Sequence, residues 1–116
     1  MWVRVGAVLG ALGVAFGAFG AHALKTRITD AHLLEVWDTA ARYHLIHAVA
    51  LVALGGLVGA PRFTGWAWVV GIALFSGSLY LMTLTGQRWL GAVTPLGGVA
   101  FIAGWLWLAW SGTSPR

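Results

Sequence analysis

The chain has 116 residues, of which 59% are hydrophobic and 9% charged, with a formal net charge of +4 and no cysteine. A soluble domain this apolar would aggregate, and seven Lys and Arg residues near the predicted span ends are too sparse a footprint for nucleic acid. The missing cysteines exclude disulfides, thiolate metal sites and cysteine nucleophiles.

Four apolar stretches are long enough to cross a hydrocarbon core, each needing about 20 mostly apolar residues, and they predict spans over 3–23, 41–59, 65–85 and 94–111. The first opens on Arg4 and ends near Ala21-His22-Ala23, which mimics a signal-peptide cleavage pattern. Its apolar run is longer than a usual signal core, so it is read as a retained helix. Gly6, Gly10, Gly13, Gly17 and Gly20 alternate by four and three residues and form a stripe against which another backbone can press. Gly55, Gly71, Gly77, Gly97 and Gly104 offer complementary small surfaces elsewhere in the chain.

From Lys25 to Leu54 there is no proline or glycine, and Thr29 or Asp30 suits a helix N-cap. An amphipathic segment over 29–41 therefore leads into the second span. Leu33, Trp37, Ala40, His44, His47 and Leu51 recur on one helical face, with Glu35, Asp38 and Arg42 on others. Such a helix is roughly 40 Å long at 1.5 Å per residue, so its first turns protrude from the core or lie along the interface. Trp66 and Trp68 open the third span as an aromatic belt, Thr94-Pro95 starts the fourth with proline in the tolerated first turn, and Trp105, Trp107 and Trp110 anchor its far end.

Short connections predict an up-down-up-down four-helix bundle with both termini on one side. Orientation stays open, because Lys25, Arg27, Arg42 and Arg88 face Arg4, Arg62 and Arg116, four basic residues against three. Nearly all polar chemistry then falls in one leaflet: His22, Asp38, Arg42, Tyr43, His44, His47, Ser76, Ser78, Tyr80 and Thr94. Ionisable groups at membrane depth are costly and point to function when they face the bundle. His22, His44 and His47 are candidate metal or haem ligands, imidazoles on facing helices being suited to either. The bland reading is that each histidine bonds a neighbouring carbonyl or hydroxyl. Asp38 and Arg42, four apart, read as an interfacial ion pair. Tyr43 reads as an interfacial anchor, and Tyr80 as a hydrogen-bonding group between helices. The span-three hydroxyls read as bonded to their own backbone or an adjacent helix. No nucleophile stands beside a base, and neither a phosphate loop nor a zinc-protease helix motif is present, so nothing positive supports an enzyme.

Gly17-Ala18-Phe19-Gly20-Ala21-His22-Ala23-Leu24, Tyr43-His44-x-x-His47-Ala48, Leu74-Phe75-Ser76-Gly77-Ser78-Leu79-Tyr80 and Thr94-Pro95-Leu96-Gly97-Gly98 together resemble the domain-of-unknown-function 423 family, which includes transmembrane protein 256-like proteins. The resemblance covers essentially the whole chain and implies a small four-span integral membrane protein. It supplies no activity.

Three classes of function follow. The first is a non-enzymatic bundle in a bacterial-type plasma membrane, binding a lipid, a small ligand or a partner subunit, or a second copy of itself, at the polar leaflet, with no cofactor expected. The second is a metal or haem protein of redox or assembly type, using the three histidines. The third is a small-solute or proton conduit, against which the bare second leaflet argues.

Overall fold

The computed structural model describes residues 1–113; Arg116, counted above among the basic residues, lies outside them. Among the described residues the chain is helical and contains no strand. Helix α1 spans Trp2–Ala21, and the His22 N–H closes it on the Ala18 and Phe19 carbonyls. Five glycines would weaken such a helix in water by about 1 kcal/mol each. In lipid no competing solvent satisfies the backbone, so the helical ladder holds.

A short 3₁₀ turn, Leu24–Thr26, leads to α2, Ala31–Gly55. Of the two caps the sequence offers, Thr29 and Asp30, Asp30 is the one used, its carboxylate accepting from the His32 N–H at 2.9 Å and the Leu33 N–H at 3.4 Å. Pro61 sets the start of a third rod made of α3 (Arg62–Gly71), a π-helical turn (Ile72–Ser76) and α4 (Gly77–Thr85). Gly86 ends it with φ 73°, a left-handed conformation that favours glycine. A second 3₁₀ turn, Arg88–Ala92, precedes α5 (Thr94–Ser111), which has proline in its first turn.

Among the described residues three helical stretches are long and apolar enough to cross a membrane: Trp2–Thr26, Arg62–Thr85 and Arg88–Ser111. Helix α2, with Glu35, Asp38 and Arg42 in its first half, is not among them. The third rod is central, with 50% of its apolar window buried against 11% for α1 and 17% for α5. The two flanking helices therefore direct most of their apolar surface outward.

Register fixes how the helices pair. Rising along α1, Gly6 meets Val52, Gly13 meets Leu45 and Gly20 meets Trp37, so the facing residue falls as the glycine number rises. Thr64 to Gly104, Gly71 to Phe101 and Gly97 to Phe75 give the third rod and α5 the same opposed direction. One core cluster holds Trp2, Leu51, Leu54, Trp68, Ile72 and Phe101, and a second holds Leu24, Trp37, Ala40, Ala41, Leu79 and Tyr80. The predicted inner face of α2 is observed from Trp37 onward, with Trp37, Ala40, His44, His47 and Leu51 buried, Leu33 only half-buried, and Glu35, Asp38 and Arg42 exposed.

Two sequence expectations are corrected here. Trp68 is not an interfacial anchor; it is 1% exposed and packs its indole, tilted by 50°, with its centroid 4.4 Å from that of Trp105. The α1 stripe meets α2 main chain at Gly6 but the Leu45 and Trp37 side chains at Gly13 and Gly20 and only alanine methyls at Gly10 and Gly17; Gly55 faces the Trp2–Val3 backbone of α1, while Gly71, Gly97 and Gly104 lie against Phe101, Phe75 and Trp68 within the other helix pair.

Candidate functional site

The α1 glycines differ in what they admit. A Cβ on Gly6 would lie 2.7 Å from the Ala48 carbonyl and one on Gly13 2.7 Å from Leu45, whereas Gly10 and Gly17 would meet only an alanine methyl at 3.9 Å. At two places the gap exposes a carbonyl one turn earlier. The His44 Nε2–H donates to the Leu9 carbonyl at 2.8 Å beside Gly13, and the Trp37 Nε1–H donates to the Phe16 carbonyl at 2.7 Å beside Gly20. Side chains on a helix lean toward its N-terminus, so the residue at i+4 normally covers the carbonyl of residue i. Glycine at i+4 uncovers it. The same device repeats after seven residues on α1, matched by the seven from Trp37 to His44 on α2.

This geometry fixes the histidine tautomers. A carbonyl can only accept, so His44 carries its proton on Nε2, and its Nδ1 accepts from the Tyr80 hydroxyl at 2.9 Å. In His47 the assignment is reversed. Nδ1–H donates to the Tyr43 carbonyl at 2.8 Å, and Nε2 accepts from the Trp105 indole N–H at 3.0 Å, since an indole can only donate. The His47 ring also stacks on Phe101 with centroids 3.7 Å apart. Each ring lone pair is therefore occupied within the protein.

The expected meeting of His22 with His44 and His47 is not observed. His44 faces α1 at Leu9 and Gly13, whereas His22 follows the last turn of α1, beyond the Gly20 to Trp37 contact. Among the described residues no three His, Cys, Asp or Glu side chains stand close enough to hold a metal ion. A three-histidine metal or haem centre does not fit this arrangement, because the three do not converge and both ring nitrogens of His44 and His47 are already engaged.

The remaining polar candidates also tie helices together. Ser76 donates to the Ala40 carbonyl at 2.8 Å, joining the π-helical turn to α2. Ser78 bonds Phe75 O and meets the Thr94 hydroxyl at 2.6 Å, joining α4 to the start of α5. Thr83 donates to Leu79 O at 2.9 Å within α4 and approaches Leu33 O of α2 at 3.3 Å. Tyr43 packs its ring on Phe75 at 4.9 Å. Hydrogen bonds between helices in a membrane contribute about 0.6 kcal/mol on average and up to about 1.7. Trp68 Nε1 is the buried side-chain polar atom left without a partner among the described residues.

Among the described residues two cavities open to the outside: an almost wholly apolar one of about 640 Å³ between Phe63 and the Trp107–Trp110 end of α5, and a polar groove of about 630 Å³ between the end of α1 and the first half of α2. Gly17, Gly20 and Ala21 line it on the α1 side, with Lys25, Glu35, Trp37, Asp38, Thr39 and Arg42 around it. Asp38 and Arg42 form their ion pair there at 2.9 Å, with side chains 69% and 67% exposed, which limits the pair to a few tenths of a kcal/mol. Of the polar sequence candidates, Asp38 and Arg42 line this groove, together with Gly17 and Gly20 of the glycine stripe. Lys25 and Glu35 were not among them, although the spacing of Glu35, Asp38 and Arg42 by three and four residues already puts the three on one helical face.

A profile of the family described as "Protein of unknown function (DUF423)" matches residues 16–98. The chain belongs to the DUF423 family. The UPF0382 membrane protein YwdK of Bacillus subtilis is 44% identical over 112 residues, covering 91% of this chain and 90% of the relative. A UPF0382 membrane protein of Staphylococcus haemolyticus is 40% identical over 112 residues, covering 93% and 91%. A third, from Schizosaccharomyces pombe, is 40% identical over 109 residues, covering 88% and 92%. No solved structure matches the chain. These relatives and the three apolar helices make this DUF423 protein a membrane protein.

Proposed function

We propose that this DUF423 protein is a non-enzymatic, four-span, up-down-up-down bundle of a bacterial-type plasma membrane that binds a lipid, small ligand or partner at a polar site in one leaflet. The observation that carries the binding reading is the contrast between sealed and open polar groups. His44, His47, Ser76, Ser78 and Tyr80 are all bonded inside the bundle, whereas Lys25, Glu35, Asp38 and Arg42 border a groove open to the outside. A ligand arriving from lipid or water meets the second group and not the first.

The fourth span is supported by register. Helix α2 lies along α1 from Gly20 to Gly6, about 21 Å at 1.5 Å per residue, so if α1 crosses the membrane, residues 37–52 of α2 lie at the same depths. Beyond Arg42 that stretch carries no formal charge. The cysteine-free chain permits a direct test by impermeant-thiol labelling of single variants Thr26→Cys, Val58→Cys and Gln87→Cys. Four spans put Thr26 and Gln87 on one side and Val58 on the other. Labelling of Thr26→Cys and Val58→Cys from the same side, with Gln87→Cys opposite, would instead mean that α2 lies on the surface.

Binding is tested by thermal denaturation of delipidated protein before and after adding a membrane lipid extract. A rise of several degrees is expected for the wild type, and none for Thr39→Trp, in which a bulky ring on α2 fills the groove. An equal rise in both would place the binding elsewhere. The metal or haem reading loses its structural support because both nitrogens of His44 and His47 are engaged.

A further inference from the structure

We propose that the groove between α1 and α2 takes a membrane lipid whose headgroup carries both a phosphate and a primary ammonium; this rests on the groove being the ligand site. Its charges are ordered by depth. Gly17 lies beside Ala41 and Gly20 beside Trp37, so Arg42 sits at the level of Gly17, within α1, while Glu35 lies about two turns nearer the end of the helix pair. Lys25, in the turn after α1, borders the same mouth. Arg42 with its partner Asp38 therefore stands deep, and the Glu35 carboxylate lies at the mouth, which Lys25 also borders. In a phosphoethanolamine-type headgroup the phosphate joins the glycerol and lies deep, while the ammonium extends toward water.

Arg42 gives one N–H to Asp38 and keeps the others for a phosphate, for which its planar fork is suited. Glu35 takes part in no ion pair among the described residues and would accept from the ammonium. The formal charges of Lys25, Glu35, Asp38 and Arg42 cancel, which favours a neutral zwitterion over an anionic lipid. A quaternary ammonium calls for a cage of aromatic faces, and Trp37 is the one aromatic residue bordering the groove, its N–H already held by the Phe16 carbonyl. A primary ammonium needs only carboxylate acceptors. The apolar outer surface flanking the groove, including exposed Ile46 and Val14, leaves room for acyl chains that a free solute lacks.

The test reconstitutes the full chain in nanodiscs holding equal parts of phosphatidylethanolamine, phosphatidylcholine and phosphatidylglycerol, then measures by native mass spectrometry which lipid stays bound after detergent release. Phosphatidylethanolamine is expected to be retained at least fivefold over the other two, with that preference lost in Glu35→Gln and in Arg42→Gln. Both side chains are exposed, so neither variant should unfold the protein. Stoichiometric retention of phosphatidylglycerol or phosphatidylcholine, sensitive to Thr39→Trp, would overturn the headgroup assignment while leaving the groove as a lipid site. No lipid of any class retained in a Thr39-sensitive manner would overturn both readings. A separate arm adds O-phosphoethanolamine, which has the headgroup without chains: stabilisation by it at micromolar concentration with no lipid retained would overturn a lipid source in favour of a free solute.

Discussion

Gly97→Ala should destabilise the protein more than any other alanine substitution at a glycine of α5. A Cβ at Gly97 would fall on the backbone nitrogen of Phe75 and 2.7 Å from its Cα, so no side-chain rotation relieves the overlap. The added methyl has to push α5 off the π-helical turn. Overpacking typically costs about 1–3 kcal/mol, and the upper end is expected here because the obstacle is main chain. Gly98→Ala supplies the control, its Cβ meeting Phe75 Cδ2 at an ordinary 3.9 Å. Thermal denaturation in one mild detergent should show a drop of several degrees for Gly97→Ala and almost none for Gly98→Ala. Equal stability of the two variants would contradict the close approach of α5 to the π-helical turn.

The same distinction revises what the glycine stripe of α1 means. Spacing alone makes Gly6, Gly10, Gly13, Gly17 and Gly20 equivalent, because period and residue type are all that a sequence displays. The fold separates them by what stands opposite: main chain at Gly6, Leu45 at Gly13, Trp37 at Gly20, and only alanine methyls at Gly10 and Gly17. The buried face of α2, the Asp30 cap and the local bonding of Ser78 and Thr83 were legible because each depends on residues within a few positions of one another. The partners of His44 were not. One is a backbone carbonyl, Leu9 O, which carries no residue signature, and the other is Tyr80, 36 positions away.

Polar residues in a predicted leaflet likewise do not reveal which of them are sealed. Depth is readable from hydropathy, but enclosure depends on how α2 rotates against two neighbours. That rotation turns His44 and His47 inward, leaves Asp38 and Arg42 at an open groove, and keeps His22 apart from the other two histidines. The burial of Trp68 has a similar origin. Its position beside Trp66 suggests an aromatic belt, and only the absence of a side chain at Gly104 on α5 gives its indole a place inside.

The His44 to Tyr80 bond provides the second large effect. Phenylalanine at position 44 keeps a ring against Phe16, whose centroid lies 6.1 Å from that of His44, but it leaves the buried Tyr80 hydroxyl without an acceptor. An unsatisfied buried polar group costs about 1–3 kcal/mol, and His44→Phe should lose an amount in that range. Tyr80→Phe should lose about 1 kcal/mol, because it removes one hydrogen bond and leaves the Nδ1 lone pair of His44 unmet. The double variant removes both ends of the bond at once. Its loss should fall short of the sum of the single losses by about 1 kcal/mol, the coupling expected of side chains in direct contact. Strict additivity in an unfolding cycle would mean that the bond contributes nothing of its own. The same variants also separate structure from binding. If His44 and Tyr80 act as internal ties, the double variant keeps the stabilisation by added lipid that Thr39→Trp loses, although its own melting temperature is lower. Loss of the lipid response in a folded double variant would return the buried histidine to the binding site and take the groove out of it.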